Sequence, residues 1–407
     1  MNLRSHQIKF SKQLSQILNQ FNIAYLAGQV RSGKTLTALE SARLFNAKKI
    51  LVVTKKKAIS SIQSDYENFC FSYEMQIMNY ESLHKITDKD FDLIIYDESH
   101  SLGAYPKPSQ RAKLARKMFY DIPTILMTGT SAVESYSQYY HQFYVSKFSP
   151  FNEYKNFYKW AKDFVTVKQL KLPTHTVNDY SKANVEAIDK IIKPYMVVMT
   201  QADAGLDVNI NETILEVETP PLIKKLTDIL IKDRVVQGQS GFIFGDSPAK
   251  LQSKVHQLFN GSCIIETATG ETFTKLFSNF KADYIAKHFK GKKIVIMYYY
   301  QAELEILKKT FDLADDVEDF NKTNKSIAVQ QSSSEGMNLS KADAIVYYNI
   351  GFSGKNYIQS RDRMTVKERK NNNVYFICEK GGITSKILKR VRAKKDFNSR
   401  TFLKEYE

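Results

Sequence analysis

The stretch Gly28-Gln29-Val30-Arg31-Ser32-Gly33-Lys34-Thr35 decides the fold of the first part of this 407-residue chain. Its spacing is G-x-x-x-x-G-K-T; an apolar run precedes it and a helical pattern follows it. This order of strand, glycine-rich loop and helix forms a phosphate-binding loop, in which backbone N–H groups and a helix N-terminus face the phosphates. The motif therefore predicts a nucleotide-binding α/β domain, with Lys34 on the β- and γ-phosphates and Thr35 on Mg²⁺.

Two acids, Asp97 and Glu98, end a later apolar run at residues 93–96. A magnesium-dependent nucleotidase needs a carboxylate at the end of a strand beside the phosphate-binding loop. Asp97 is predicted to hold Mg²⁺, and Glu98 to orient or deprotonate the attacking water. An Asp-Glu pair after a strand can also simply begin a helix, but the phosphate-binding loop earlier in the chain favours the catalytic interpretation.

The hydrophobic pattern divides the chain into three parts. Residues 1–145 and 213–407 each alternate apolar runs with amphipathic stretches, which is typical of parallel sheets with crossover helices. In the second part, strands are predicted at 293–299, 326–329, 344–348 and 373–377, helices at 222–232 and 273–289, and a basic helix at 383–407. Residues 146–212 are predicted to form a helical hairpin and a connection, with Trp160 in its packing. The predicted fold class is α/β: two lobes with parallel sheets and a small helical insertion between them.

Composition favours a polyanionic partner. The chain has 59 Lys+Arg against 43 Asp+Glu, a net charge of +16, which favours nucleic-acid binding, although a Lys-rich and Asn-rich composition alone could reflect an AT-rich genome. Its three cysteines match neither a disulfide framework nor a zinc site. No apolar run reaches 18 residues and the N-terminus is polar, so neither a membrane span nor a signal peptide is expected. We expect a cytoplasmic protein.

Several further motifs follow in a fixed order along the chain. With the phosphate-binding loop and Asp97-Glu98-Ser99-His100, they resemble the motifs of superfamily 2 DExH helicases and translocases, most closely the Swi/Snf-type branch. The segments that carry the resemblance are LRSHQ at 3–7, LVVTK at 51–55, NYESL at 79–83, TGTS at 128–131, SSEGMNLSKAD at 333–343 and YIQSRDRM at 357–364.

The resemblance implies two RecA-like lobes and assigns roles to individual residues. Gln7 would read adenine, and the other ATP contacts would be Gly28, Ser32, Gly33, Lys34, Thr35 and Gly336. The catalytic residues would be Lys34, Asp97, Glu98, Gln359, Arg361 and Arg363, with Thr35 and Asp97 on Mg²⁺. The nucleic-acid contacts would be Thr54, Lys55, Lys56, Tyr80, Thr128, Gly129, Thr130, Ser333, Ser334 and Asn338.

The last two motifs depart from the family pattern. If Gln359 is the glutamine of the sixth motif, Arg363 is its first arginine, but Val366 stands at the position of the second. Arg361 or Lys367 could supply that cation after a shift of register. In the fifth motif, Ser334 replaces a glycine.

The resemblance implies an ATP-dependent DNA helicase or translocase that uses ATP and Mg²⁺ between its lobes. Its partner would be single-stranded, duplex or branched DNA, with RNA less favoured, in phage or bacterial replication, recombination or repair. One alternative is an ATP-gated DNA clamp or loader, and another is the motor subunit of a restriction or defence complex. The basic stretches 107–117 and 386–395 are either phosphate-contacting surfaces or solvated helix faces.

Overall fold

The structure is a computed structural model that describes residues 2–132, 134–171, 176–205, 209–333, 337, 339–361, 371–393 and 395–406. It divides into two compact units, Met1–Leu206 and Asp207–Glu407. Among the described residues, no helix combines the length and the apolar character that crossing a bilayer requires.

The first unit is built on a six-stranded parallel sheet. Its elements in chain order are α1 (Ser5–Phe21), β1 (Ile23–Gly28), α2 (Lys34–Leu44), β2 (Lys49–Thr54), α3 (Ile59–Phe69), β3 (Glu74–Asn79), β4 (Leu93–Asp97), α4 (Gln110–Phe119), β5 (Thr124–Thr128), α5 (Gln138–Phe143), α6 (Phe157–Phe164), β6 (Lys168–Lys171), β7 (Thr176–Asp179), α7 (Val185–Ile192) and β8 (Met196–Met199).

The strand order of this sheet is β3-β2-β4-β5-β1-β8, and all its pairs are parallel. The strands are short and largely apolar, and helices cover both faces of the sheet. The side chains of β1, β2, β4 and β5 are therefore buried on both sides, whereas the edge strands β3 and β8 are only partly buried. Because the strands are parallel, β1, β2, β4 and β5 end at the same edge of the sheet. That edge therefore carries the residues that follow each strand.

The aromatic residues of the 146–212 segment and of α5 pack into the core of the first unit. Trp160 is fully buried and lies against Tyr140, Phe151 and Phe164, which confirms its assignment to packing. Residues 196–199 of the same segment form β8, an edge strand of the first sheet beside β1. The sequence predicts a helical hairpin and a connection for residues 146–212, and this prediction was wrong in part. The antiparallel pair β6–β7 lies between α6 and α7, and the connection contains β8. Strands of four residues show too few alternations to be distinguished from a connection.

The second unit has a five-stranded parallel sheet and a four-stranded antiparallel one. Its elements are β9 (Asn209–Val217), α8 (Pro221–Asp233), β10 (Val235–Gly238), β11 (Gly241–Phe244), α9 (Pro248–Phe259), β12 (Ser262–Glu266), β13 (Thr272–Leu276), α10 (Phe280–His288), β14 (Ile294–Tyr298), α11 (Gln301–Thr310), α12 (Val317–Lys322), β15 (Ile327–Gln330), β16 (Ala344–Tyr347), α13 (Gly354–Arg361), β17 (Asn371–Glu379), α14 (Thr384–Arg392) and α15 (Ser399–Tyr406).

The parallel sheet has the order β15-β14-β16-β17-β9, and the antiparallel sheet has the order β10-β11-β12-β13. The four predicted strands of the parallel sheet are confirmed, and so is the α/β class with a parallel sheet in each unit. Two predictions were wrong in part. Residues 273–276, the start of the predicted helix at 273–289, belong to β13, because they pair with β12. The predicted C-terminal helix is two helices, α14 and α15.

Candidate active site

The phosphate-binding loop joins the end of β1 to the start of α2, and both of its glycines are required by close approaches. A Cβ atom on Gly28 would lie 2.4 Å from Cγ of Lys34. Gly33 has a φ of +86°, and a Cβ there would lie 2.5 Å from Nε2 of Gln7. Glycine is the residue that takes a left-handed φ without steric cost and lets neighbouring groups approach the backbone.

Hydrogen bonds hold the loop from within and from β8. The Ser32 hydroxyl donates to the carbonyl oxygen of Gln29 (2.8 Å). The backbone N–H of Gln201, just after β8, donates to Oε1 of Gln29 (2.7 Å), and its side-chain amide donates to the carbonyl oxygen of Val30 (3.0 Å). Gln201 thus fixes two successive residues of the loop. No sequence pattern points to Gln201, because its role depends on β8 lying beside β1.

The start of α1 packs against the same loop. Oε1 of Gln7 accepts from the backbone N–H of Arg4 (2.9 Å), and Nε2 donates to the carbonyl oxygen of Gly33 (3.4 Å). His6 Nε2 lies 3.0 Å from the carbonyl oxygen of Ser32. The Gln7 amide is buried and is oriented by contacts on both of its ends. Its predicted contact with adenine stays a prediction.

Asp97 ends β4, two strands from β1, and its carboxylate is held in place. Oδ2 accepts from the Thr54 hydroxyl at 2.7 Å, and Oδ1 accepts from the backbone N–H of Glu98 at 2.9 Å. Burial raises the pKa of Asp97, and the neighbouring Glu98 charge raises it further; the Thr54 hydrogen bond and the positive charge of Lys34 act in the opposite direction. Because burial and Glu98 destabilise the charged form of Asp97, a bound cation would stabilise this carboxylate strongly.

Glu98 lies in the left-handed region (φ 51°) and belongs to a three-residue contact. Its Oε2 is 3.0 Å from Nδ1 of His100. Oγ1 of Thr128, at the end of β5, is 2.7 Å from the same ring nitrogen and 3.4 Å from Glu98 Oε2. The backbone N–H of Thr130 donates to the Thr128 hydroxyl (3.1 Å). His100 and Thr128 therefore orient the Glu98 carboxylate and link it to the segment after β5.

Three of the predicted nucleic-acid contacts require correction. Thr54 and Thr128 are fully buried, and Tyr80 is 2% exposed. The Thr54 hydroxyl donates to Asp97, and the Tyr80 hydroxyl donates to the Asp97 carbonyl oxygen (2.6 Å). These side chains support the acids instead of facing nucleic acid.

The other predicted nucleic-acid residues of the first unit lie where each strand has ended. Lys55 is half-buried and Lys56 is exposed after β2, and Gly129 and Thr130 are half-buried after β5. Their contact with nucleic acid stays a prediction.

In the second unit, Arg361 ends α13 and is part of an ionic cluster around Glu212 of β9. Arg361 NH1 is 3.3 Å from Glu212 Oε1, and Arg392 Nε of α14 is 2.7 Å from Oε2. The Tyr357 hydroxyl also donates to Glu212. Arg361 is therefore paired with a carboxylate that two further donors share.

The remaining predicted site residues fall where the structure gives no description. The side chains of Ser333 and Gln359, and the whole of Ser334, Gly336, Asn338 and Arg363, lie outside the described residues.

The residues at the carboxyl edge of the first sheet fit a magnesium nucleotide. Lys34 Nζ donates to the carbonyl oxygen of Gln29 (3.2 Å) and would lie 3.5 Å from a Cβ on Gly129, so the amine stands between the loop and the end of β5. Among the described residues, no three His, Cys, Asp or Glu side chains gather as a metal site of their own. A single carboxylate, Asp97, with the hydroxyl of Thr35 suits Mg²⁺, which keeps waters and takes phosphate oxygens as its other ligands.

The sequence matches no family model, and no curated protein is similar to it. Among solved structures, the chain is similar to the SWI2/SNF2 ATPase core domain of Sulfolobus solfataricus, with 16% sequence identity, 97% of this chain and 89% of that chain covered, and a TM-score of 0.43. A likeness at this level does not establish what the chain does, so its function has to follow from its own residues.

Proposed function

We propose that this protein is an ATP-dependent DNA helicase or translocase. One observation carries the proposal: the parallel strands β1 and β4 bring the phosphate-binding loop, Asp97 and Glu98 to the same edge of the first sheet, where the positive charge of Lys34 acts on Asp97. A phosphate-binding loop with a metal-binding acid and a second acid beside it is the equipment for hydrolysing a nucleoside triphosphate. The order of the sequence motifs extends the proposal to DNA.

The proposed chemistry assigns each residue one step. The loop N–H groups and Lys34 would bind the phosphates, and Thr35 and Asp97 would hold Mg²⁺, which when bound would neutralise charge on the phosphate oxygens. Glu98 orients the attacking water and accepts its proton. The contact from Glu98 through Thr128 to the Thr130 N–H offers a route by which nucleic acid at residues 129–130 would affect hydrolysis. An arginine of the second unit would supply further positive charge.

The DNA part of the proposal is supported by charge and by placement. The chain carries a net charge of +16, and Lys55 and Lys56 follow β2 at the same sheet edge as the phosphate-binding loop. Lysines on this edge suit the phosphate backbone of a strand. A role in phage or bacterial replication, recombination or repair is proposed from the motif resemblance alone.

DNA is expected to stimulate ATP turnover at least tenfold, because contacts after β2 and β5 adjoin the residues that hold Asp97 and Glu98. Turnover should be measured alone and with single-stranded, duplex and forked DNA and with RNA, at several salt concentrations. Binding should weaken steeply with salt as counterions are released. A turnover that no nucleic acid changes would contradict a DNA motor.

Thr54→Val is expected to lower ATP turnover about tenfold and to raise the Mg²⁺ concentration needed for half-maximal rate. The variant keeps the shape of the side chain but removes the 2.7 Å hydrogen bond to Asp97, and a hydrogen bond to a charged group contributes about 1.5–3 kcal/mol. Turnover against Mg²⁺ concentration is the measurement. Thr54→Ser keeps the hydroxyl and is the control; equal curves for the two variants would show that this bond does not serve the metal site.

A second candidate is an ATP-gated clamp or loader that does not translocate. It is favoured by Arg361, which is paired with Glu212, and by Val366 at the position of the second arginine. A clamp would bind DNA more tightly when ATP is present. It would hydrolyse ATP slowly, and adding DNA would change the rate of hydrolysis little.

A further inference from the structure

A cationic face of α4 is not used by the proposed active site. Its three cations lie within the basic stretch 107–117. They are Lys113, Arg116 and Lys117, at i, i+3 and i+4, and Tyr120, directly after the helix, continues the same face at i+7. The opposite face of the helix is buried in the core. Residues with this spacing are neighbours on a helix surface, so the three cations form one continuous stripe.

Arg116 is held between two tyrosine rings. Its guanidinium carbon lies 4.0 Å from the ring centroid of Tyr120 and 4.2 Å from that of Tyr144. NH1 donates to the carbonyl oxygen of Tyr144 at 2.5 Å. In the described parts of the chain, no carboxylate lies within ion-pair distance of Arg116. Since arginine has five N–H donors, most of them remain for a ligand, and the two rings fix the plane in which they lie.

A cavity of about 300 Å³ opens beside this arginine. Its lining includes Arg116, Tyr120, Tyr144, Phe151, Asn152 and Lys155. The Tyr120 hydroxyl donates to Oδ1 of Asn152 (3.0 Å), which leaves the Asn152 NH₂ group as a donor. Rings on the walls, with a guanidinium and an amide among them, suit a planar group that carries a phosphate.

The charges around the cavity favour an anion. Lys113, Lys117 and Lys155 are exposed, and among the described residues none of them is within ion-pair distance of an acid. Nearby acids have partners: Asp121 pairs with Lys147 (3.0 Å), and Asp163 accepts from the Tyr154 hydroxyl (2.9 Å). Glu153 is the other acid of this segment. The cations therefore outnumber the acids here.

We propose that the α4 face and its cavity bind single-stranded nucleic acid, at a site separate from the proposed active site. Lys113 and Lys117 would follow the phosphates, and one nucleotide would enter the cavity with its phosphate on Arg116. Aromatic walls favour a nucleotide over an acidic peptide, because every base has a face that stacks on a ring.

This second site lies where the strands of the first sheet begin, opposite the carboxyl ends that carry the proposed active site. Tyr120 precedes the start of β5, whereas Thr128, beside Glu98, ends that strand. The two ends of β5 are about 13 Å apart at ~3.3 Å per residue. Binding there needs neither ATP nor Glu98. It is therefore separate from the proposed function and can be measured without ATP.

The Lys113→Glu/Lys117→Glu double variant of the full chain is expected to bind labelled oligothymidine about tenfold more weakly. The dependence of binding on salt should also fall by about one to two units of slope, since each substituted lysine no longer neutralises a phosphate. Fluorescence anisotropy without ATP, over a range of salt, measures both. Lys308→Glu/Lys309→Glu, on the exposed side of α11, makes the same change of charge in the second unit. An unchanged affinity in the α4 variant, or an equal loss in the control, would overturn the proposal.

The cavity itself is tested by hydrogen–deuterium exchange and by a milder variant. Oligothymidine should protect residues 110–120 and 144–155, and Arg116→Lys, which keeps the charge but loses the planar guanidinium, should weaken that protection severalfold. Thymidine monophosphate and polyglutamate are the comparison ligands. If only the mononucleotide protects these residues, the ligand is a small nucleotide and not a single strand. If polyglutamate protects them and oligothymidine does not, the ligand is an acidic protein. Either result overturns the proposal.

Discussion

Glu98→Gln is expected to keep ATP binding and to lose at least a hundredfold in turnover. The side chain is oriented by His100 and Thr128, 3.0 and 3.4 Å from Oε2, so an amide of the same shape can occupy the same place. An amide does not accept a proton from water, and general-base catalysis contributes about 10²–10⁴ in rate. Binding should survive because the phosphates are held by the loop and Lys34.

Lys34→Ala is the companion variant, and it is expected to weaken ATP binding and to abolish turnover. Its amine stands over the loop, 3.2 Å from the Gln29 carbonyl oxygen, and its positive charge acts on Asp97. A fluorescent ATP analogue measures binding, and phosphate release measures turnover. Glu67→Gln and Lys12→Ala, both exposed in the same unit, are matched controls. If Glu98→Gln hydrolyses ATP at the parent rate, the catalytic assignment is wrong.

The parts of the site that could be predicted are those whose determinants are local. The phosphate-binding loop at residues 28–35, the strand before it and the helix after it are contiguous in the sequence, so the loop motif and its flanking patterns predict all three. Asp97 and Glu98 follow directly from the end of an apolar run. Gln201 could not be found in this way, because it is 172 residues from Gln29 in the sequence and reaches the loop only through the pairing of β8 with β1.

Thr54 shows why a motif position alone does not give a side chain its role. A hydroxyl at the end of a β-strand can point to bound nucleic acid or to the adjacent β-strand of the sheet. The register pairs Val53 with Tyr96, so the next residues, Thr54 and Asp97, lie side by side and form a hydrogen bond. The Thr128 hydroxyl likewise contacts a side chain of the protein, His100, which is 28 residues away in the sequence.

The antiparallel sheet of the second unit was missed for a different reason. Its strands are four or five residues long, and the β10–β11 turn runs from Gly238 to Gly241. Strands this short show too few alternations to distinguish them from loop or helix. In β13, the apolar residues Phe273 and Leu276 are three apart, as in a helix, and only the pairing with β12 selects the strand.

Arg363→Ala is expected to lower ATP turnover by roughly a thousandfold, the scale of an arginine that stabilises charge in the transition state. ATP affinity should change little, since the loop and Lys34 bind the ground state. By motif spacing Arg363 is four residues after Gln359 and occupies the first arginine position of the sixth motif. The assignment rests on the sequence, and kinetics under single-turnover conditions is the measurement.

The ionic cluster around Glu212 changes what is expected of Arg361. Arg361 is paired with a carboxylate that is 18% exposed and is shared with Arg392 and Tyr357. Arg361→Ala should therefore lower the melting temperature more than it lowers turnover, because it leaves Glu212 less well neutralised. It is the matched control for Arg363→Ala. If Lys367→Ala is inactive while both arginine variants are active, the motif is shifted in register. If all three variants hydrolyse ATP normally, the second unit supplies no cation to the reaction, and the ATP-gated clamp becomes the better account of this chain.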